Sequence, residues 1–380
     1  MNFLKLLNKS TTLYKSFKSN TIIQRSFSTG FRVGVSKDSL FSRIKDENKQ
    51  LLHNLQSQNT MYLSRLITLI ESKREDHQEQ SRLIISYLLQ KQRESKDRSF
   101  RIGISGPPGA GKSTFIEYFG KYLTGSECNH KVAILAIDPS SVRSGGSILG
   151  DKTRMTELSV DPNAFIRPSS SRGTLGGIAK GTADTVVLCE SAGFDIVLIE
   201  TVGVGQSEVS MDDMVDMFVL LVPPANGDEL QGLKKGIVES SDIVVVNKAD
   251  GELMPKARFT VSEYQSAFKL QRPKFENWIP KVLSVSSQEK NGIEKVWKTM
   301  CDFKQEMIKS GEFQKKRSKQ NHTIMRKIIE EEIVEKLFES ETVEQILPQY
   351  EEQVKSGEIS ASYASDQIIK AFLSQPFKVK

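Results

Sequence analysis

Residues 101–114 read RIGISGPPGAGKST. Apolar residues alternate over 101–105 and the run ends in a turn, the pattern of a buried strand entering a loop. Gly106, Pro107, Pro108, Gly109, Ala110, Gly111, Lys112 and Ser113 then satisfy G-x-x-x-x-G-K-[ST] at every fixed position. Thr114 follows, and 115–123 continues as a helix. The glycines let backbone N–H groups curl around a phosphate chain with no Cβ in the way, and the helix N-terminus adds partial positive charge. Lys112 reaches the β- and γ-phosphates, and the Ser113 hydroxyl ligates Mg²⁺. A Gly/Pro-rich turn without a ligand leaves both flanks unexplained, so the stretch reads as a nucleoside triphosphate site.

Working outward, apolar runs supply further core strands at 131–137, near Ala164, and at 195–199, 217–222, 242–246 and 281–285. With the strand at 101–105 this predicts an α/β P-loop fold, with a mainly parallel central sheet flanked by helices and helical extensions at both ends. Asp138 stands at the carboxyl end of its strand, beside the phosphate site, where it can orient Mg²⁺ or a metal-bound water. The run 145–155 (GGSILGDKTRM) brings Asp151 with Lys152 and Arg154 and can order around a γ-phosphate and Mg²⁺. Glu200 ends the strand at 195–199 in the Walker B position, with Glu in place of the more usual Asp, and Gly203 can offer its N–H to the γ-phosphate. Gln206 lies two places later than the water-orienting Gln of Ras-like proteins. Slow unassisted hydrolysis follows, with a partner or dimer contact completing the site.

The strand at 242–246 delivers Asn247-Lys248-Ala249-Asp250. A carboxylate at Asp250 accepts from both N1–H and the 2-amino group of guanine, whereas adenine offers no donor at either place. A buried polar group left unpaired makes that discrimination steep. Ser286 and Ser287, after the last strand, can supply backbone donors to guanine O6. The three Cys and four His are scattered with no C-x-x-C and no i, i+4 His pair, which argues against a transition-metal site.

The chain has 380 residues, enough for about two to three domains. It contains no run of about 18 apolar residues, so no membrane span is expected. The formal charge of +6 owes much to residues 1–37, which hold seven Lys or Arg and no Asp or Glu. The remainder is close to neutral, which weakens a nucleic-acid reading. That acid-free, Ser- and Leu-rich opening reads as a mitochondrial transit peptide cut near residues 25–29, with the matrix as destination; a disordered basic tail is the bland alternative. Residues 38–97 carry helical stripes (Leu63, Leu66, Ile67, Ile70; Ile84, Ile85, Leu88, Leu89) and predict two or three helices packed on a nucleotide domain spanning 98–310. Residues 311–321, with Lys315, Lys316, Arg317 and Lys319, read as a solvated linker. Beyond them Ile324, Ile328, Ile329, Ile333, Val334 and Leu337 recur at helical spacing, so 311–380 reads as a helical self-association arm.

The ordered set GPPGAGKST, AIDPSS, GDKTRM, RPSSSRGTLGG, AGFDIVLIETVGVGQSE, GDELQGLKKG and NKAD resembles the MeaB and methylmalonic aciduria type A family, P-loop GTPases of the ArgK type that act as chaperones of methylmalonyl-CoA mutase. The match covers about residues 63–293 and weakens through the end helices. The resemblance implies a homodimeric, Mg²⁺-dependent GTPase of the same class as the signal-recognition and nickel-insertion GTPases. Such a protein gates adenosylcobalamin delivery to the mutase and protects or reactivates it, with the supplying adenosyltransferase as a second partner. It further implies that Asp138, Asp151 and Glu200 belong to the Mg²⁺ and switch machinery. Lys234, within PPANGDELQGLKKG, would lie in a third switch loop tied to partner-stimulated hydrolysis. The rival readings are a P-loop kinase acting on a small acceptor, a GTPase serving a different metalloenzyme, and a binding scaffold with a degenerate site. NKAD and ETVGVGQSE speak against the kinase, and the intact Lys112-Ser113 pair against the scaffold.

Overall fold

The structure is a computed structural model that describes residues 36–57, 59–94, 99–138, 155–170, 175–201, 211–225 and 235–374. Among the described residues seven strands form one sheet: β1 (Phe100–Ser105), β2 (Val132–Asp138), β3 (Ala164–Ser170), β4 (Ile196–Thr201), β5 (Met217–Val222), β6 (Ile243–Val246) and β7 (Lys281–Ser284). Their order is β3-β2-β4-β1-β5-β6-β7, and every pairing is parallel.

Side chains alternate across this sheet, so each strand feeds two cores. On one face Ile102, Ile104, Ile134, Leu198 and Val219 meet helix α5 (Lys112–Thr124) through Phe115, Ile116, Phe119 and Leu123, and helix α9 (Ile293–Lys309) through Val296, Met300 and Phe303. On the other face Ala133, Leu135, Val197, Phe218 and Val244 meet α6 (Leu175–Ser191), α7 (Lys235–Ser240) and α8 (Met254–Lys269). Burial on both faces is why these strands read as near-continuous apolar runs.

Four helices precede the sheet, where the sequence predicts two or three: α1 (Lys37–Arg43), α2 (Asp46–His53), α3 (Met61–Ile70) and α4 (Glu75–Glu94). The predicted stripes are the buried ones, with Leu63, Leu66 and Ile67 of α3 and Ile84, Ile85 and Leu88 of α4 joining the core that includes Val186 and Leu188 of α6. Leu89 departs from the stripe and is exposed.

Strand ends differ from the sequence reading for a readable reason. Asp195 and Asp242 precede their strands and use their carboxylates on a neighbour, accepting from the amides of Lys131 (2.8 Å) and Phe218 (2.8 Å). At the other end β4 continues through Thr201 because β2 beside it is long enough to pair with it. The P-loop helix likewise starts at Lys112, three residues before the predicted run.

Residues 311–321 are not a solvated linker. They open a single helix, α10 (Glu312–Phe338), which α11 (Glu341–Lys355) and α12 (Ala361–Leu373) follow. A linker reading assumes that Lys and Arg seek water; Lys315 and Lys319 do, but Lys316 and Arg317 turn inward onto acids at 212–216. Arg317 pairs with Asp216 at 2.6 Å and Lys316 with Asp212 at 2.7 Å, while Gln320 donates to the carbonyls of Asp212 (2.9 Å) and Val215 (2.7 Å). Lys274 completes the cluster against Asp212 and Asp242. No helix among the described residues is long and apolar enough to cross a membrane.

Candidate functional site

The site lies where the strand order reverses, with β1 between β4 and β5 and the loop after β1 leading into α5. That loop runs against β5 so closely that a Cβ on Gly106 would sit 1.9 Å from the carbonyl oxygen of Leu221. Gly109 and Gly111 hold φ of 82° and 85°, in the left-handed region that favours glycine. Gly111 is the cap from which α5 begins, so the first amides of a 13-residue helix are aimed at the loop. The Lys112 ammonium folds back across the loop and donates to the carbonyls of Gly106 (2.8 Å) and Pro107 (3.3 Å).

Beneath it, the Ser113 hydroxyl donates to Glu200 Oε1 at 3.3 Å. Glu200 is buried at the carboxyl end of β4, next to Thr201, whose hydroxyl donates to Ser105 at 3.1 Å. The structure thus joins two predicted metal ligands whose side chains come from sequence positions 87 apart. A hydroxyl and a carboxylate are hard oxygen donors of the kind Mg²⁺ takes beside substrate phosphates, so the residues present fit that ion. Asp138 closes β2, one residue beyond the Ile137–Thr201 pairing, and its side chain lies outside the described residues. Asp151, Gly203 and Lys234 also lie outside them. No group of three or more His, Cys, Asp or Glu able to hold a metal occurs among the described residues, and all three cysteines are free.

The base end of the site is tied to the phosphate end by Asn247, which is 1% exposed. Its amide donates to the carbonyls of Ala110 (3.0 Å) and Gly111 (3.4 Å), while its Oδ1 accepts from the Ser287 hydroxyl (2.7 Å) and amide (3.3 Å). Lys248 adopts a left-handed φ of 57°, and its Cε lies 3.7 Å from where a Gly111 Cβ would stand. Asp250 accepts from the Ser286 hydroxyl at 2.5 Å. The Ser286 amide, an expected O6 donor, is engaged with the Asn291 carbonyl at 3.0 Å. The sequence names Asn247 and Ser287 as separate base contacts. That they brace the phosphate loop is a long-range fact which no local spacing carries.

Burial of the Cys189 thiol, far from water in α6, pushes its pKa up, which suits a packed and inert side chain. Sequence reasoning missed the role of Glu117 on α5, which is 7% exposed and accepts from the amides of Glu157 (2.7 Å) and Leu158 (3.2 Å).

A glycine-lined phosphate loop at the switch point of a doubly wound parallel sheet, braced to an Asn-Lys-x-Asp strand end, defines a P-loop nucleoside triphosphatase of the guanine-reading kind. Comparison with known proteins narrows this class. The family model described as methylmalonyl Co-A mutase-associated GTPase MeaB matches residues 63–342, and the chain belongs to that family. The match runs further into the end helices than the motifs alone indicate. A mouse protein described as methylmalonic aciduria type A homolog, mitochondrial, is 50% identical over 82% of this chain and 76% of its own length. The GTPase ArgK of Escherichia coli is 40% identical over 83% of this chain and 93% of its own. Among solved structures, that of a LAO/AO transport system kinase superposes with a TM-score of 0.66 at 33% identity, covering 87% of this chain and 99% of that one. The chain is a GTPase.

Proposed function

We propose that this GTPase is a chaperone of methylmalonyl-CoA mutase, using GTP hydrolysis to gate adenosylcobalamin loading and to protect or reactivate the mutase. The observation that carries the reading is a bridged GTP site, Ser113 against Glu200 and Asn247 against the phosphate loop, in a chain whose family is described as mutase-associated. Lys112 and the loop amides hold the β- and γ-phosphates, and Asp250 reads the guanine edge, with Lys248, Ser286 and Ser287 around it. Ser113, Glu200, Asp138 and Asp151 would hold Mg²⁺, which when bound offsets charge on the phosphates. Lys112 neutralises the charge that builds on the γ-phosphate oxygens as water attacks in line. Glu200 holds the Ser113 hydroxyl in place, Gly203 offers its amide to the γ-phosphate, and Lys234 adds a positive group when the partner docks.

The same reading divides the chain into a mitochondrial transit peptide (1–37), an N-terminal helical segment (38–97), the GTPase domain (98–310) and a C-terminal extension (311–380). The matrix is the compartment, in keeping with the word mitochondrial in the mouse relative's description. A homodimer forms through the extension, where Met325, Ile329, Ile333 and Phe338 lie exposed along α10. The adenosyltransferase that supplies adenosylcobalamin is a second partner.

The test is GTP turnover with and without purified methylmalonyl-CoA mutase. A mutase-dependent rise in phosphate release supports the reading, and turnover unchanged across a saturating range of mutase overturns it. Transfer of the γ-phosphate to a small acceptor rather than water would instead favour a kinase, the activity by which the solved relative is described.

A further inference from the structure

Helix α5 touches the base side of the site as well as the phosphate side. The base side includes the loop at 286–291, closed by a reciprocal backbone pair. The Ser286 amide donates to the Asn291 carbonyl and the Asn291 amide to the Ser286 carbonyl, each at 3.0 Å. Gly292 ends the loop at a φ of 83°, where a Cβ would stand 2.7 Å from the Ser284 carbonyl oxygen. Within the loop the Ser286 hydroxyl donates to Asp250 and accepts from the Glu289 amide at 3.0 Å, while the Ser287 hydroxyl donates to Asn247 Oδ1 at 2.7 Å. A carboxylate offers about four lone-pair sites, so Asp250 keeps acceptors for a base after Ser286 has taken one.

Lys290 stands at the exposed corner of this loop with a φ of 58°, a left-handed conformation that a lysine keeps only where its surroundings hold it. One such hold is the Tyr118 ring, whose centroid lies 5.4 Å from the Lys290 ammonium. Tyr118 sits on α5 beyond Lys112 and Ser113, half-buried and packed against the core that contains Phe115 and Phe119. A helical side chain covers the turn N-terminal to its own Cα, which here is the phosphate end of α5. The ring is thus fixed by the core on one side and carries the loop on the other. Asn247 ties the base end to the phosphate loop from within, and the Tyr118–Lys290 contact ties the same loop to the phosphate-bearing helix from outside.

We propose that Tyr118 is a positioning residue for guanine nucleotides. Its ring holds Lys290, and through Lys290 the 286–291 loop, in the shape that keeps Asp250 and Ser287 at the base, so it governs how long nucleotide stays bound rather than how fast bound GTP is cleaved. The inference rests on the reading of Asp250 as the guanine acceptor. It gives Tyr118 a function that no motif of the site contains.

The experiment uses the full chain with Tyr118→Leu, Tyr118→Phe, Lys290→Met and the Tyr118→Leu/Lys290→Met double variant. Measurements are the release rate of a fluorescent GDP analogue chased with excess GDP, the single-turnover cleavage rate of bound GTP, and hydrogen exchange at the Glu289 and Lys290 amides. Tyr118→Leu keeps an apolar body without a π face. It should speed GDP release by about two- to fivefold, the range of one cation–π contact at an exposed site, with cleavage moved by less than about twofold. Tyr118→Phe keeps the face and should release GDP at about the parental rate. Lys290→Met keeps the stem without the charge and should match Tyr118→Leu, and the double variant should be no faster than either, because all three remove one contact. Exchange at the two amides should quicken in the same three variants.

Parental release from Tyr118→Leu overturns the proposal. Release from Tyr118→Phe as fast as from Tyr118→Leu also overturns it, since the effect then belongs to the hydroxyl. A multiplicative rise in the double variant does the same, as does a fall in cleavage as large as the rise in release, which would place the damage in α5. If Tyr118→Leu does not fold, Lys290→Met on the exposed loop carries the test, and parental release from it overturns the proposal. Asp250→Asn, run beside these, separates the two claims: if it releases GDP at the parental rate, the Asp250 reading fails, and with it the route assigned to Tyr118, even where Tyr118→Leu is fast.

Discussion

Replacing Arg317 by Met tests whether α10 is rooted in the GTPase core or merely attached to it. Arg317 grips Asp216 with two bonds, Nε to Oδ1 at 2.7 Å and Nη2 to Oδ2 at 2.6 Å, and it also donates to the Ser99 carbonyl at 3.0 Å. The side chains are 15% and 1% exposed. Met keeps the apolar stem but leaves the Asp216 carboxylate without its ion-pair partner, with the Arg101 amide 2.8 Å away and the weaker fields of the Arg101 and Lys304 charges. Removing one partner of such a buried pair costs about 3–5 kcal/mol, against about 0–1 kcal/mol for an exposed pair. The expected loss is at least about a fifth, and for a marginal domain most, of a typical domain's stability of about 5–15 kcal/mol. Equilibrium urea unfolding of the full chain reads it as a fall in midpoint, and Asp216→Asn combined with Arg317→Met should recover part of it.

The pH dependence follows with its sign. Burial pushes the Asp216 carboxyl up, but the Arg317 charge and hydrogen bonds, with Arg101, outweigh it and hold the carboxyl below its ordinary range. A depressed folded-state value gives stability that is present above the unfolded value of about 4 and lost as pH falls through the folded one. Without Arg317 burial wins and the sign reverses, so the gap between variant and parent should narrow from pH 7 towards pH 4. A loss below about 1 kcal/mol at pH 7 would return this pair to the surface class and refute the reasoning.

Two other outcomes can be checked directly. Asp250→Asn loses the acceptor for guanine N1–H and the 2-amino group and gains a donor suited to a base with a carbonyl at that position. The preference for GTP over xanthosine triphosphate in competition calorimetry should therefore fall by about a thousandfold or more. Asp184 on α6 behaves oppositely to Asp216: burial raises its carboxyl to about 6, with Lys180 pulling it back down. A raised acid costs stability as pH rises from the unfolded value towards the folded one, so Asp184→Asn should stabilise the chain by about 1–3 kcal/mol above pH 6 and by almost nothing at pH 4 in thermal melts.

The parts of this molecule legible in the sequence are those where one residue's role is set by its near neighbours. Ile102 and Ile104 in β1, or the run Met217–Val222, are apolar because the sheet is covered on both faces, and that shows as a local pattern. Gly109, Gly111 and Lys112 are likewise fixed by the loop's own geometry. The chemistry that escaped is charge used at a distance. Lys316 and Arg317 resemble any basic surface stretch until Asp212, Asp216 and the Ser99 carbonyl, about 100 and 218 residues away in sequence, come beside them. Glu117 resembles an ordinary helix acid until two amides of the chain past Met155 fold onto it.

An apolar residue announces burial by its type. A buried ion announces nothing, because its cost is met only by a partner that the fold supplies. Both of the missed clusters meet that condition: Glu117 holds the amides of Glu157 and Leu158, and Lys316 and Arg317 hold Asp212 and Asp216. Asn247 works in the same way within the motif itself, since its side chain holds Ala110 and Gly111 on one side and Ser287 on the other. The buried polar side chains of this GTPase thus join segments far apart in sequence, and a sequence pattern built on apolar spacing passes over those places.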